Sequence, residues 1–225
     1  RSSSGGSKTT SFLSPEPEWS AQWLRDSPIK STIQWDLTRT HQHLELSDSR
    51  SVACTTGCAG YGAVMGRRSD CTAEVTKKEA ATADGAHGSS PKKKKSTQQR
   101  GWYWEVEVLE LGTGGFSVGL ACINFPKPFK SLGNQPTSWV WFHDGTVLHN
   151  RESFGKATAS TAYAEDDVLG LFVTASGDVT TFKNGKRIPT VRFPRLPPGK
   201  YTVCMQPYMG GAGQLVHAKP HTLAC

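Results

Sequence analysis

The fold class is decided by the stretch Gly101-Trp102-Tyr103-Trp104-Glu105-Val106-Glu107-Val108. Its tryptophans and valines alternate with more polar residues, and a period of two places an apolar stripe on one face of a β-strand. Residues 116–122 repeat the alternation after a glycine-rich turn at residues 112–115. Two alternating strands joined by a short glycine turn predict an antiparallel hairpin.

The chain after residue 100 continues with short apolar segments separated by turn residues. The apolar run Val168–Val173 precedes the turn Ser176-Gly177-Asp178, and Asn184-Gly185 is the dipeptide that most strongly signals a two-residue hairpin. Tyr201, Val203 and Met205 alternate once more. No stretch after residue 100 has a convincing 3.6-residue period, so the predicted class is all-β. Many short strands favour an antiparallel sandwich over a closed barrel.

The first third of the chain divides into a tail and a group of strands. Residues 1–27 are predicted to be a tail, whose first part is rich in Ser, Thr and Gly. Within it, Pro15–Arg25 predicts a short helix with Trp19 and Trp23 one turn apart. Residues 28–75 predict strands, including a hairpin that turns at Ser47–Ser51. Because the chain begins with Arg1, we interpret it as a processed form or a fragment of a longer protein.

The middle of the chain carries a basic, low-complexity insertion at residues 76–99, and the predicted core follows at residues 100–225. The insertion has no aromatic or large aliphatic residue, which is typical of a long loop. It holds the lysines Lys92, Lys93, Lys94 and Lys95, which supply four of the seven net positive charges. These lysines are candidates for contact with an anionic partner, as a nuclear import signal or a patch for RNA or a membrane surface. The simpler alternative is a solvated loop tip.

The six cysteines are irregularly spaced, which favours free thiols in a reducing compartment. Cys54, Cys58 and Cys71 with His41 and His43 could furnish zinc ligands, but Cys-x3-Cys without a second pair is a weak signal, so we expect no metal and no cofactor. The chain also lacks an apolar run near 18 residues and a signal-peptide core. We therefore expect an intracellular protein. The cytoplasm is the favoured location, and the nucleus or an organelle is the alternative.

Catalytic patterns are weak, so we expect the protein not to be an enzyme. The glycines at residues 112–115 lack the Gly-Lys-Ser/Thr of a phosphate loop. His87, His143 and His149 have no Ser or Cys nearby in a nucleophile-like context. Glu165–Asp167 are consecutive at a strand entrance, where they cannot all face one substrate, so a solvated turn explains them better.

Five motifs, taken in chain order, resemble the SPRY (B30.2-like) family: Gly101–Val108, Phe116–Leu120, Ser138–Trp141, Asp166–Leu171 and Gly177–Gly185. The resemblance covers roughly residues 100–218, and Gln34–Val52 looks like the strand pair that precedes the core in that family. The lysine-containing insertion departs from the pattern. The resemblance implies a bent sandwich of two antiparallel sheets that recognises partner proteins through variable loops at one rim, without catalysis.

The resemblance also implies partner-binding residues at two loops. Phe129 occupies the place of a loop aromatic that touches the peptide in the adaptor subgroup, and Tyr208, Met209 and Gly210 occupy that of an aromatic-glycine stretch near the last strand. Exposed aromatic and Met side chains supply contact area, and glycine lets a partner backbone approach closely. The alternative is that Phe129 and Tyr208 plug the ends of the sandwich.

The predicted function is therefore that of an adaptor or scaffold module that binds a segment of another protein. The alternative function is that of a structural subunit of a large multiprotein or ribonucleoprotein assembly. In that case the tail and the lysine loop would dock on neighbouring subunits or on nucleic acid.

Overall fold

The structure is a computed structural model that describes residues 34–47, 52–55, 63–66, 72–76, 98–125, 131–155 and 157–224. The predicted helix at Pro15–Arg25 and the lysine run lie outside these ranges. The described residues contain strands, turns and bends and no helix. The predicted all-β class is thus confirmed.

Fifteen strands form among the described residues. In chain order they are β1 (Trp35–Thr40), β2 (Leu44–Leu46), β3 (Val52–Thr55), β4 (Val64–Gly66), β5 (Thr72–Val75), β6 (Gln98–Glu110), β7 (Phe116–Cys122), β8 (Ser138–Phe142), β9 (Val147–His149), β10 (Glu152–Phe154), β11 (Val168–Thr174), β12 (Val179–Lys183), β13 (Lys186–Arg187), β14 (Gly199–Pro207) and β15 (Ala212–Ala224).

The strands build two antiparallel sheets. One has seven strands in the order β13-β12-β11-β6-β15-β3-β2, and the other has eight in the order β1-β4-β14-β7-β8-β9-β10, with β5 also paired to β14. The strands of residues 35–75 are shared between the two sheets, so both halves of the chain build one sandwich. The predicted sandwich architecture is confirmed.

The core lies between the inner faces of the two sheets. Trp104, Val106 and Val108 of β6 are fully buried there, as the period of two predicts, and they belong to the same apolar cluster as Trp139 and Trp141 of β8. Trp102 lies at the edge of this cluster and is only partly buried. Alternation along each strand therefore fixes which side chains enter the core.

Three predicted hairpins are confirmed by the strand pairing. Strand β2 pairs antiparallel with β3, although residues 48–51 between them lie outside the described ranges, and β11 pairs with β12 across Ser176-Gly177-Asp178. Strand β12 pairs with β13 so that Lys183 faces Lys186 and only Asn184-Gly185 lies between. Both turn residues have positive φ, 50° and 79°, which is the requirement of a type I′ turn and explains why Asn and Gly stand there.

The predicted hairpin across Gly112–Gly115 is wrong. Strand β6 pairs with β11 and β15 in one sheet, whereas β7 pairs with β14 and β8 in the other. The glycine segment carries the chain from one sheet to the facing sheet. Gly112 and Gly115 have φ of 69° and 91°, a conformation that glycine adopts without strain, and it lets five residues turn between the layers.

A smaller cluster covers the outer face of the eight-stranded sheet. It contains Phe125 and Leu132, from the segments before and after residues 126–130, together with Val140, Met65 and Cys204 from the sheet. The side chain of Gln206 accepts a hydrogen bond from the Leu132 backbone N–H at 2.8 Å. Phe125 and Leu132 therefore cover part of this face of the sheet.

The thiol of Cys204 should resist alkylation in the native protein. The side chain is fully buried, and burial raises its pKa, which lowers the fraction of reactive thiolate. Cys54 is only partly buried and serves as the control. With iodoacetamide at about pH 8, peptide mass spectrometry should show Cys204 reacting at least about 10-fold more slowly than Cys54. Equal rates without denaturant would contradict the buried placement.

Candidate functional site

One rim of the sandwich carries three of the predicted partner-binding residues. We call residues Tyr208–Gly211, between β14 and β15, the rim loop. Its neighbours are the sheet-to-sheet connection at Leu111–Gly115 and the end of β3 at Thr55. The β8–β9 turn at His143–Thr146 lies beside Gly115, because a Cβ on that glycine would come within 2.4 Å of the His143 ring.

The backbone of the rim loop is fixed by hydrogen bonds to these neighbours. The Tyr208 N–H donates to the Gly115 carbonyl at 3.1 Å, and the Thr113 N–H donates to the Met209 carbonyl at 3.0 Å. The Gly210 N–H donates to Oγ1 of Thr55 at 2.7 Å. Within the loop, the N–H of Gly211 donates to the Tyr208 carbonyl at 2.8 Å. The loop is thus held in one conformation by elements far apart in sequence.

Side-chain exposure differs among the three predicted residues. Met209 is 41% exposed, and Gly210 is exposed with a φ of 88°. Tyr208 is partly buried and packs over Gly114, where an added Cβ would lie 2.7 Å from the tyrosine Cβ. The structure therefore brings Tyr208, Met209 and Gly210 together on one ordered loop. Their role in binding stays a prediction.

Tyr163 anchors the rim to the core, and the sequence offered no motif for it. Its side chain is 5% exposed, and its hydroxyl lies 2.8 Å from the Phe116 carbonyl and 2.9 Å from the Trp141 carbonyl. Burial raises the pKa of Tyr163 well above its usual value, and the nearby negative charge of Asp144 raises it further. The phenol thus stays protonated and able to donate at every physiological pH.

Exposed carboxylates surround the rim loop. Asp144, Glu165 and Asp166 are all exposed, and Oε1 of Glu165 accepts a hydrogen bond from the Leu111 N–H at 3.2 Å. Asp167 accepts hydrogen bonds from the backbone of Ala164 and the side chain of Asn184. Asp144 accepts hydrogen bonds from the backbone and the side chain of Thr146 in the β8–β9 turn, so Asp144 and Asp167 both stabilise turns.

The remaining predicted binding residues lie outside the described ranges. These are Phe129 and the lysines Lys92, Lys93, Lys94 and Lys95. Phe129 follows Phe125, which packs in the cluster on the outer face of the eight-stranded sheet. Both assignments stay predictions.

Among the described histidines, His149 packs against the core. His149 stacks on Trp139 with ring centroids 4.3 Å apart, and its Nδ1 lies 3.0 Å from the Ser138 carbonyl. His41 and His43 have ring centroids 5.0 Å apart, and burial and the neighbouring His43 lower the pKa of His41. Within the described ranges, no group of three His, Cys, Asp or Glu residues is arranged to hold a metal ion.

Comparisons with known proteins agree with this architecture. The family model described as the SPRY domain matches residues 101–215. The SPRY domain of human HERC1 superposes with a TM-score of 0.54 at 12% identity, covering 80% of this chain and 96% of that chain. The TRIM65 PSpry domain gives a TM-score of 0.53 at 17% identity and covers 82% of this chain and 89% of that chain.

A search of curated proteins finds no match to the chain. In the part of the chain that the structure describes, no helix has the length and apolar character needed to cross a membrane.

Proposed function

Because the chain belongs to the SPRY domain family, we propose that it is a non-enzymatic module that binds a segment of a partner protein at the rim loop, in an adaptor or scaffold role. Members of this family are commonly protein-interaction modules. The proposal assigns the contact to Tyr208, Met209 and Gly210. It is supported by the exposure of Met209 and by the hydrogen bonds that hold this loop.

The observation that carries the proposal is an exposed apolar side chain on a preorganised loop. Met209 is one of four exposed large hydrophobic side chains among the described residues. Its backbone is fixed through Thr113, and the next residue is fixed through Thr55. A loop that is already ordered loses little conformational entropy on binding, and a flexible thioether adapts its shape to a partner surface.

Gly210 gives a partner room to approach the backbone. A Cβ built there would meet only the Gly112 Cα, at 4.0 Å, so the space above the glycine is open. Its positive φ of 88° disfavours other residue types in this conformation. An extended partner segment can therefore lie close to the loop while its side chains contact Met209 and Tyr208.

The charge of the rim supports a protein partner over a nucleic acid at this surface. Asp144, Glu165 and Asp166 are exposed around the rim loop and would repel a phosphate backbone. Nucleic-acid binding by the lysine run is a separate hypothesis, because those lysines belong to a different segment.

Replacing Met209 by aspartate should reduce partner affinity at least about 10-fold, because the change removes an apolar contact and adds charge at its place. Leu37→Asp is the matched control, since Leu37 is 58% exposed on β1 and lies outside the rim loop. Affinity purification with quantitative mass spectrometry identifies proteins that bind the wild type, and titration of the purified partner then gives Kd. Phe129→Ala in the same assay tests the second predicted anchor.

The result is interpretable only when both variants keep the cooperative thermal transition of the wild type. A partner that binds the Met209 variant as tightly as the Leu37 variant would overturn the assignment of the rim loop.

A further inference from the structure

A groove lies at the edge of the seven-stranded sheet, beside β12 and the segment that follows β13. We call it the edge groove, and its volume is about 190 Å³. Its apolar lining includes Val179, Ile188 and Phe193. Arg187 and Arg192 are the charged residues among the described ones that line it. The edge groove thus combines apolar surface with two guanidinium groups.

The floor of the edge groove is continuous with the main core. Val191 lines the groove, is 5% exposed and belongs to the core cluster. Val179, Ile188 and Phe193 pack against that cluster but are only partly buried. These side chains therefore keep accessible apolar area, and a side chain of a partner can cover it without rearranging the core.

The backbone of β12 is open beside this floor. The Ile188 N–H donates to the Thr181 carbonyl at 2.9 Å, so the backbone groups of Thr181 point away from β11. Because hydrogen-bonded and non-hydrogen-bonded positions alternate along an antiparallel strand, those of Val179 point the same way. Among the described residues, β13 pairs with β12 only at Phe182 and Lys183. Val179 therefore presents a backbone N–H and a carbonyl at a sheet edge to which a further strand can be added.

The charge of the edge groove selects the kind of partner. Arg187 and Arg192 are both exposed, and no carboxylate is among the described residues that line the groove. Asp178 lies next to the groove in the chain, and its Oδ1 is 3.7 Å from Nε of Arg195. An exposed guanidinium group binds a carboxylate through two parallel N–H donors. A partner that carries carboxylates beside an apolar residue is therefore complementary to the groove.

We propose that the edge groove binds an extended acidic segment of a partner protein. The segment adds as a strand beside Val179, places an apolar side chain on the floor and directs carboxylates to Arg187 and Arg192. A nucleic acid would satisfy the arginines only, because its sugar-phosphate backbone has no N–H groups to add to a β-ladder and little to place on an apolar floor.

The edge groove is separate from the rim loop. Strand β6 ends beside the rim loop at Glu110, and Val168 at the start of β11 pairs with Glu107 near that end. Val173, at the other end of β11, pairs with Val179 of the groove. The groove thus lies toward the opposite end of the sheet, and the inference does not rest on the proposed function.

The first test is peptide selection on the full chain. A phage library of random peptides is selected on the wild type and on the double variant Arg187→Glu with Arg192→Glu. The wild type should enrich peptides in which Asp or Glu flanks apolar residues, and the variant should retain them at least about 10-fold less well. The double variant Arg151→Glu with Lys200→Glu makes the same change of net charge at exposed positions outside the groove and should retain them as the wild type does.

Two outcomes of the selection would overturn the proposal. One is the absence of enriched acidic peptides on the wild type, or their equal retention by the groove variant. The other is their loss from Met209→Asp, which would place them on the rim loop instead.

The second test is amide hydrogen exchange of the wild type, measured by NMR with the most enriched acidic peptide at saturation. The Val179 amide should exchange at least about 10-fold more slowly, because its N–H gains a hydrogen bond to the added strand. The Thr113 amide, which donates to Met209 at the rim, is the control and should not change. An unchanged Val179 amide under saturating peptide would refute strand addition at this edge.

Discussion

Replacing Trp104 by alanine is expected to lower the free energy of unfolding by about 3 to 5 kcal/mol. The Trp104 side chain is fully buried between the sheets and is among the largest buried side chains of the described core. Its removal would leave a cavity that strands on both sides cannot collapse to fill, because their own pairing holds them apart. Urea denaturation followed by circular dichroism measures the change.

Trp102→Ala is the matched control for this prediction. Trp102 lies on the same face of β6, and its ring stacks on Trp104 with centroids 6.2 Å apart, but it is only partly buried. The loss of stability should therefore be smaller. Trp104→Phe tests the cost of burying the indole N–H separately from the loss of packing. Nε1 of Trp104 is buried without a hydrogen-bond partner among the described residues, and phenylalanine removes that polar group. Equal losses for Trp104→Ala and Trp102→Ala would contradict the core placement.

Replacing Gly119 by alanine should lower the free energy of unfolding by about 3 kcal/mol, the upper part of the range for overpacked sites. Gly119 lies in the middle of β7, paired with Cys204 on one side and Val140 on the other. A Cβ there would lie 2.0 Å from the carbonyl oxygen of Trp139 and 2.7 Å from the Val140 Cα. Both atoms are backbone, so relief requires β7 and β8 to separate.

Gly199→Ala provides the control for the backbone entropy of a glycine substitution. A Cβ at Gly199 would come no closer than 3.3 Å to any atom, the nearest being the hydroxyl of Tyr201, which is only slightly tighter than an ordinary van der Waals contact. This variant should change stability by less than about 1 kcal/mol. If Gly119→Ala matched it in thermal and urea unfolding, the close approach of β7 and β8 would be wrong.

The candidate site could be predicted only in part, because its residues come from distant positions. Tyr208, Met209 and Gly210 were assigned from the family resemblance, and they lie together because they are consecutive. Thr55 accepts a hydrogen bond from Gly210, which lies 155 positions later in the sequence. Nothing in the sequence around Thr55 indicates this contact. Tyr163 is likewise defined by two carbonyl groups, those of Phe116 and Trp141, that only the fold brings to it.

The alternation in Trp102–Val108 determined by itself that this chain forms strands, and it determined which side chains of β6 enter the core. A period of two is a local property, set by how successive side chains project from an extended backbone. The same holds for Asn184-Gly185, whose residue types alone allow the positive φ angles of its turn.

Tertiary structure alone decided which strands are neighbours and what lies on the outer side of the sheet. The turn at Gly112–Gly115 satisfies the local rules of a hairpin, yet both edges of β6 are occupied by β11 and β15, which come much later in the chain. Alternation also assigns Tyr103 and Glu105 to a polar, solvent-facing side, and the fold buries both. Which strands pair, and which side chains become buried on the outer face, depends on competition among distant segments for the same sheet edge or face. A local sequence pattern carries no information about that competition.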